Sequence, residues 1–246
     1  MAARYRLIVN ADDFGFTRDV NAGIVEAHRN GILTATTLMA NGEAFDDAVA
    51  LAHAHPSLDV GCHLVLVQGR SVADPSRELP RTLQDLLKAV IRRELPLYRE
   101  ASAQLNKLVA AGIKPTHIDT HNHTHLLPPV MDVVAKLARE FEIPWVRRRF
   151  ITPRVGSTLR GLQTTDHFLG FLLTGRLNTA NLARQLSKLP AGLTEFMCHP
   201  GKLGPELEAA PTRLKKSREI ELAALVSPEA RRAIEQRGIE LVNYRG

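Results

Sequence analysis

Within ten residues, Thr116-His117-Ile118-Asp119-Thr120-His121-Asn122-His123-Thr124-His125, the chain places four histidines and an aspartate. Imidazole and carboxylate together make the donor set of a catalytic site for zinc or a related divalent ion. The first half of the stretch alternates polar and apolar residues, as a half-buried strand does. The second half runs through Leu126-Leu127 into Pro128-Pro129, which predicts the first turn of a helix. A strand ending in such a burst points to a metal site at its C-terminal end, if other strands deliver matching ligands.

Three other places offer them. Asp12-Asp13 follows the apolar run Arg6–Asn10, His63 lies near the end of Leu58–Leu66, and His199 ends Leu193–His199. Adjacent carboxylates on a strand point different ways, so one can hold a metal while the other handles a proton. A helix N-cap is the plainer alternative for an aspartate, but a cap needs only one. His63 and His199 each follow a cysteine. Alternation then sends the histidine to the mouth and Cys62 or Cys198 toward the helices, as small core residues and not as ligands or nucleophiles.

Within the cluster, Asp119 and His121 share a face, His117 lies deeper on it, and His123 and His125 fall in the loop beyond. His121, nearest the mouth, is the expected ligand, and Asp119 is expected to orient a histidine. His123 and His125 are expected to touch substrate or support the ligands. One aspartate with two histidines leaves coordination positions open for water. Magnesium and zinc are the first candidates, and the two histidines favour zinc or another transition metal by intrinsic affinity.

The elements that must position these residues repeat as strand, functional turn, helix. Strands are predicted at 6–10, 32–39, 58–66, 116–120, 143–147, 193–199 and 240–243. Helices are predicted near 19–29, 43–54, 83–94, 98–111, 128–142, 179–188, 213–226 and 228–236. Residues 68–82 read as a long loop on the strand-end side, and 149–178 are irregular. The alternation predicts a parallel sheet, with chemistry collected at the C-terminal strand ends. The expected fold is an α/β, TIM-barrel-like (β/α) barrel of seven or eight strands. Asn41 and Arg147, also just past strand ends, join Asp119, His123 and His125 as candidates for substrate binding or support of the ligands.

The 246 residues, 44% hydrophobic and 24% charged, suit one domain spanning 1–246. Net charge is +6, with Arg147-Arg148-Arg149 and Lys215-Lys216 as its densest runs. A solvated surface is the plain reading. No zinc finger, RNA-binding signature or aromatic-interleaved basic stripe supports nucleic acid. Met1–Arg6 leads straight into a strand with no apolar signal region, no run is long enough to span a membrane, and two cysteines make no disulfide framework. A reduced, cytoplasmic protein is expected.

Four motifs in order then carry a resemblance: Asn10-Ala11-Asp12-Asp13-Phe14-Gly15, Gly61-Cys62-His63-Leu64, Pro115 through His125, and Cys198-His199-Pro200-Gly201. Together they resemble the YdjC-like carbohydrate deacetylase family, which includes chitooligosaccharide deacetylases and hopanoid-associated deacetylase-like proteins. The resemblance implies hydrolysis of the N-acetyl group of an acetamido sugar, oligosaccharide or glycoconjugate, dependent on one divalent metal ion. It implies Asp13, His63 and His121 as metal ligands, Asp12 as general base and His199 as general acid. Asn122, Thr124 and Cys62 depart mildly from the family's usual residues. A homodimer is the expected assembly. The competing reading is a metal-dependent barrel acting on a phosphorylated sugar, as phosphoesterase or isomerase, with Arg147-Arg148-Arg149 holding the phosphate.

Overall fold

The computed structural model describes residues 5–148 and 153–246. Met1–Arg4, Arg149 of the predicted basic run, and the next three residues of the irregular window lie outside the described residues. In chain order, β1 (Tyr5–Phe14), α1 (Arg18–Asn30), β2 (Ala35–Leu38), α2 (Phe45–Ala54) and β3 (Asp59–Leu64) form the first units. There follow α3 (Leu83–Ile91), α4 (Leu97–Ala110), β4 (His117–Thr120), a 3-10 turn at His121–Leu126, α5 (Pro128–Glu140) and β5 (Trp145–Val146). The chain closes with α6 (Pro153–Thr158), β6 (His167–Leu169), a 3-10 turn at Phe171–Leu173, α7 (Thr179–Ser187), β7 (Gly192–Cys198), α8 (Pro205–Ala209), α9 (Lys216–Leu225), α10 (Pro228–Arg237) and β8 (Ile239–Leu241).

Every strand pairing is parallel, in the order β5-β4-β3-β2-β1-β7-β6. The sheet curls into the expected barrel-like α/β fold. Among the described residues, strands β5 and β6 end the order and do not pair; the free side of β5 is bridged instead by Gln163, ahead of β6, with Val146 N–H donating to Gln163 O and Gln163 N–H to Pro144 O at 3.0 and 2.8 Å. Strand β8 takes the first residues of the β1 edge, Tyr5 to Leu7, and β2 takes the rest. Helices cover the outer face. Helix α1 is capped by the Thr17 hydroxyl and lays Val20, Ile24 and Ala27 on the core. Cys62 and Cys198 are buried in that same helix-side core, as alternation requires.

Some boundaries move. The first strand runs on to Phe14, so Asp12 and Asp13 lie within it and not after it. The second is shorter than its β-branched run, starting at Ala35. The helix expected from 213 begins at Lys216, behind the short α8. The irregular window contains α6 and β6.

The barrel floor is plugged by the chain's own end. Tyr244 stacks on His117 with ring centroids 3.8 Å apart and meets the edge of Trp145 at 5.7 Å. Asp59, buried at the start of β3, accepts from Tyr244 N–H, Arg245 Nε and Thr116 Oγ1 at 2.8, 3.2 and 2.7 Å. At the opposite end, α1 sits flush on the loop after His199: a Cβ on Gly23 would lie 2.4 Å from Gly201 Cα. That contact fixes the height of Pro200-Gly201, and so of His199. Truncating the plug with Tyr244→Ala is expected to cost about 3 kcal/mol, read as a lower urea midpoint with an unchanged slope.

Candidate active site

Asp13, His63 and His121 meet at the mouth of the barrel. Asp13 Oδ1 lies 3.3 Å from His63 Nε2 and 3.1 Å from His121 Nδ1, and the two ring nitrogens are 3.3 Å apart. Three donor atoms from β1, β3 and the turn after β4 thus face one point. Adjacent strand residues ordinarily face opposite ways, yet Asp12 and Asp13 both line the cleft. The strand achieves this by a register shift between Ala11 and Phe14, with Asp13 at φ 70°. That is a left-handed conformation, and it turns the second carboxylate back to the mouth.

Two of the three ligand-type residues, His63 and Asp13, are held from behind. His63 Nδ1 donates to Asp119 Oδ1 at 2.6 Å, and the Thr37 hydroxyl donates to Asp119 Oδ2 at 3.2 Å. Asp13 Oδ2 accepts from Arg218 Nη2 at 2.5 Å. Asp12 is gripped by Arg147 through two bonds of 2.7 and 2.8 Å and accepts from Asn10 Nδ2 at 3.0 Å. The same guanidinium reaches Asp119 Oδ2 at 2.5 Å and Glu195 Oε1 at 2.7 Å.

The charge states follow. Burial works against ionised Asp12, but Arg147 outweighs it and holds the carboxyl well below its usual range. Asp13 is likewise held low against burial, by Arg218, His121 and His63. Burial would keep His63 neutral, but Asp119, Asp13 and Asp12 raise it to about 10. His199 is different: burial lowers it to about 4 against the pull of Asp13 and Asp12, so it is neutral at pH 7. Burial lowers His123 to about 3 and His125 well below its usual value.

The structure brings together Asp12, Asp13, His63, His121, His123 and His199 on one cleft of about 510 Å³. His123 packs edge-on against Phe171 at 4.9 Å and Phe168 at 5.8 Å. His125 is buried, with Nδ1 on the Thr120 hydroxyl at 2.8 Å, so it braces the turn and is not placed to touch substrate. Asn41 is not on the cleft; its Nδ2 donates to Arg70 O at 3.3 Å and supports the loop after β3. Arg147 is 3% exposed and committed to three carboxylates, so it is a support and cannot hold a substrate phosphate. Arg148 is spent on Thr165 O. The phosphate reading thereby loses the cations that motivated it among the described residues.

Sequence reasoning passed over four participants. Asn10 shares the face of Asp12, and Glu195 that of His199, so strand parity alone singles them out as polar residues in apolar strands. Arg218, 2% exposed, comes from a run that reads as a solvated helix face. Glu221, one turn further on, accepts His199 N–H at 2.7 Å and Gly175 N–H at 3.2 Å, and only the fold joins it to the site.

Removing Arg147 leaves three buried carboxylates without their counter-charge. Arg147→Met is expected to lower stability by about 3–5 kcal/mol, and Arg147→Lys to recover only part, since an ammonium cannot make the two-pronged contact with Asp12. Chemical denaturation of the two variants measures both.

The YdjC-like protein family matches residues 6–236. A carbohydrate deacetylase of Brevibacillus brevis is 39% identical over 252 aligned residues, covering 97% of this chain and 98% of its own length. A chitooligosaccharide deacetylase of Yersinia enterocolitica is 34% identical, covering 97% of each. Among solved structures, an Enterococcus faecalis protein provisionally described as a cellobiose-phosphate cleavage protein superposes with a TM-score of 0.84 at 27% identity, over 99% of this chain and 98% of its own. With the match spanning nearly the whole chain, the protein belongs to the YdjC-like family.

Proposed function

We propose that this chain is a metal-dependent carbohydrate deacetylase that hydrolyses the N-acetyl group of an acetamido sugar, free or within an oligosaccharide or glycoconjugate. The observation that carries the reading is the convergence of Asp13 Oδ1, His63 Nε2 and His121 Nδ1 on one point of the cleft that Asp12 and His199 also line. These residues fit a divalent cation. His63 Nδ1 is committed as donor to Asp119, so Nε2 either carries a proton or offers a lone pair. The raised pKa of His63 measures how strongly Asp119, Asp13 and Asp12 demand positive charge at that spot. A divalent ion answers the same demand, and aspartate with two imidazoles is its ordinary donor set.

Asp13, His63 and His121 would hold the ion, magnesium or zinc, which when bound polarises the scissile carbonyl and acidifies water. Asp12, kept ionised by Arg147, accepts the proton of the attacking water. His199, just past the end of β7 and beside Asp12 in the β1–β7 register, donates to the departing nitrogen. Because His199 is neutral at pH 7, the proton it delivers must first reach it from that water. One water proton passes through Asp12 and the other through His199 to the departing nitrogen, so water and amide give acetate and an ammonium with no net proton consumed in the site. No serine or cysteine nucleophile is needed: both cysteines are buried with thiol pKa pushed up by burial.

The test is acetate release from N-acetylglucosamine and its oligomers with magnesium or zinc added. Asp12→Asn and His199→Ala are each expected to lower kcat about 10²–10⁴-fold. His121→Ala is expected to abolish the ion-dependent rise in thermal midpoint that the wild type shows. Acetate release undiminished by Asp12→Asn or His121→Ala overturns these assignments.

Among the described residues no helix is long and apolar enough to cross a membrane. The same reading keeps the enzyme in the cytoplasm as a homodimer. Light scattering is expected to give twice the chain mass, and a single 27.2 kDa species rejects the dimer.

A further inference from the structure

Six described non-glycine residues have a left-handed backbone: Asp13, Gln68, Arg93, Asn122, His123 and Glu142. Four of them, Asp13, Gln68, Asn122 and His123, line the cleft. Asparagine takes this conformation cheaply, but glutamine does not, and such strain persists only where the surroundings enforce it. At Gln68, with φ 69°, the enforcement is visible. Gln68 N–H donates to Pro80 O at 2.8 Å, Leu79 N–H to Gly69 O at 2.9 Å and Ser71 N–H to Arg77 O at 3.0 Å. Asn41 backs Gly69, and buried Glu100 takes Val72 N–H and Ala73 N–H at 3.0 and 3.2 Å. The loop after β3 is thus a built hairpin that presents one strained side chain to the cleft.

Asn122, at φ 53°, comes from the adjacent strand's turn, pinned by the Thr120 hydroxyl accepting His125 N–H at 2.9 Å. Both carboxamides are solvent-exposed on the same cleft, and among the described residues neither has a side-chain partner. A planar amide offers a donor and an acceptor side by side, which matches the donor–acceptor character of sugar hydroxyls. We propose that Gln68 and Asn122 form the sugar-recognition edge of the cleft, hydrogen-bonding hydroxyls of the acetamido sugar while the chemistry proceeds at Asp13, His63 and His121. The inference rests on the proposed deacetylase reading and adds the contacts that hold its substrate.

Glycine adopts the backbone of residue 68 without strain, so Gln68→Gly removes the amide and keeps the loop. It is expected to fold with a thermal midpoint no lower than the wild type's. The KM for chitooligosaccharide acetate release is expected to rise roughly fivefold, with kcat within about twofold, and likewise for Asn122→Gly. Arg93→Gly relieves the same strain away from the cleft and is expected to leave KM unchanged. Calorimetric titration with the N-acetylglucosamine dimer separates the two ideas. Weakened dimer binding in Gln68→Gly without acetate release by any form keeps this inference and overturns the reaction. Acetate release with an unaltered KM in both glycine variants overturns this inference and leaves the reaction standing. Failure of the wild type to bind the dimer overturns it as well.

Discussion

A single guanidinium inside the barrel sets the terms for everything at its mouth. Arg147, just past β5, reaches across to Asp12 on β1, Asp119 on β4 and Glu195 on β7. Three carboxylates and one cation in a dry interior leave an excess of negative charge, and burial of unbalanced charge is costly. Glu195 shows the stress: burial pushes it up to about 7 in spite of Arg147. The remaining excess is felt by His63, whose imidazole rises to about 10 among Asp119, Asp13 and Asp12. The interior is therefore built to attract a further positive charge at one place, where the lone pairs converge.

The layers around that place divide the work. Buried groups from strands fix orientation: Asp119 holds the His63 ring, and Asn10 links Asp12 to His117 through bonds of 3.0 and 2.9 Å. Helix α9 reaches in twice, with Arg218 on Asp13 and Glu221 on the His199 backbone. A strand-end constellation alone would leave Asp13 and His199 unsupported on their outer sides. Loops supply the cleft's rim, with Gln68, Asn122 and Phe171 among its lining. Donors held rigid in advance reduce the reorganisation that a polar reaction at the mouth needs.

Much of this could be read from residue order. The alternation of apolar strands with polar strand ends carried the parallel barrel, and the parity of Cys62-His63 and Cys198-His199 sorted core thiols from site imidazoles. Parity failed at Asp12-Asp13, because a bulge is a local backbone choice that side-chain alternation does not encode. It also could not rank His123 and His125, since the turn after β4 leaves strand geometry at Asn122. Arg147 is, by sequence, a candidate for substrate binding or support of the ligands, and its partners are three carboxylates, which is support and not the phosphate of the competing reading. A basic run suggests an anion from solvent, and only the curled sheet shows three internal carboxylates already waiting for it. Arg218 and Glu221 are long-range partners, roughly two hundred residues from Asp13 and twenty-two from His199, which no local pattern relates.

The bulge at Asp13 explains how two adjacent carboxylates can play different parts. On a regular strand one would face the helices, where an ion has no access. Turning Asp13 into the left-handed region brings it to the mouth while Asp12 keeps its inward aim. The two then meet different cations: Asp12 the enclosed Arg147, Asp13 the Arg218 that borders the cleft. Asp12 is locked on both oxygens, whereas Asp13 spends one oxygen on Arg218 and keeps the other for the histidine pair. The same strand thus holds two carboxylates in different settings, one enclosed with Arg147 and one at the cleft with an oxygen turned to the histidines. The cost, a strained aspartate in the first strand, is sustained because Arg218, His63 and His121 grip its side chain from three sides.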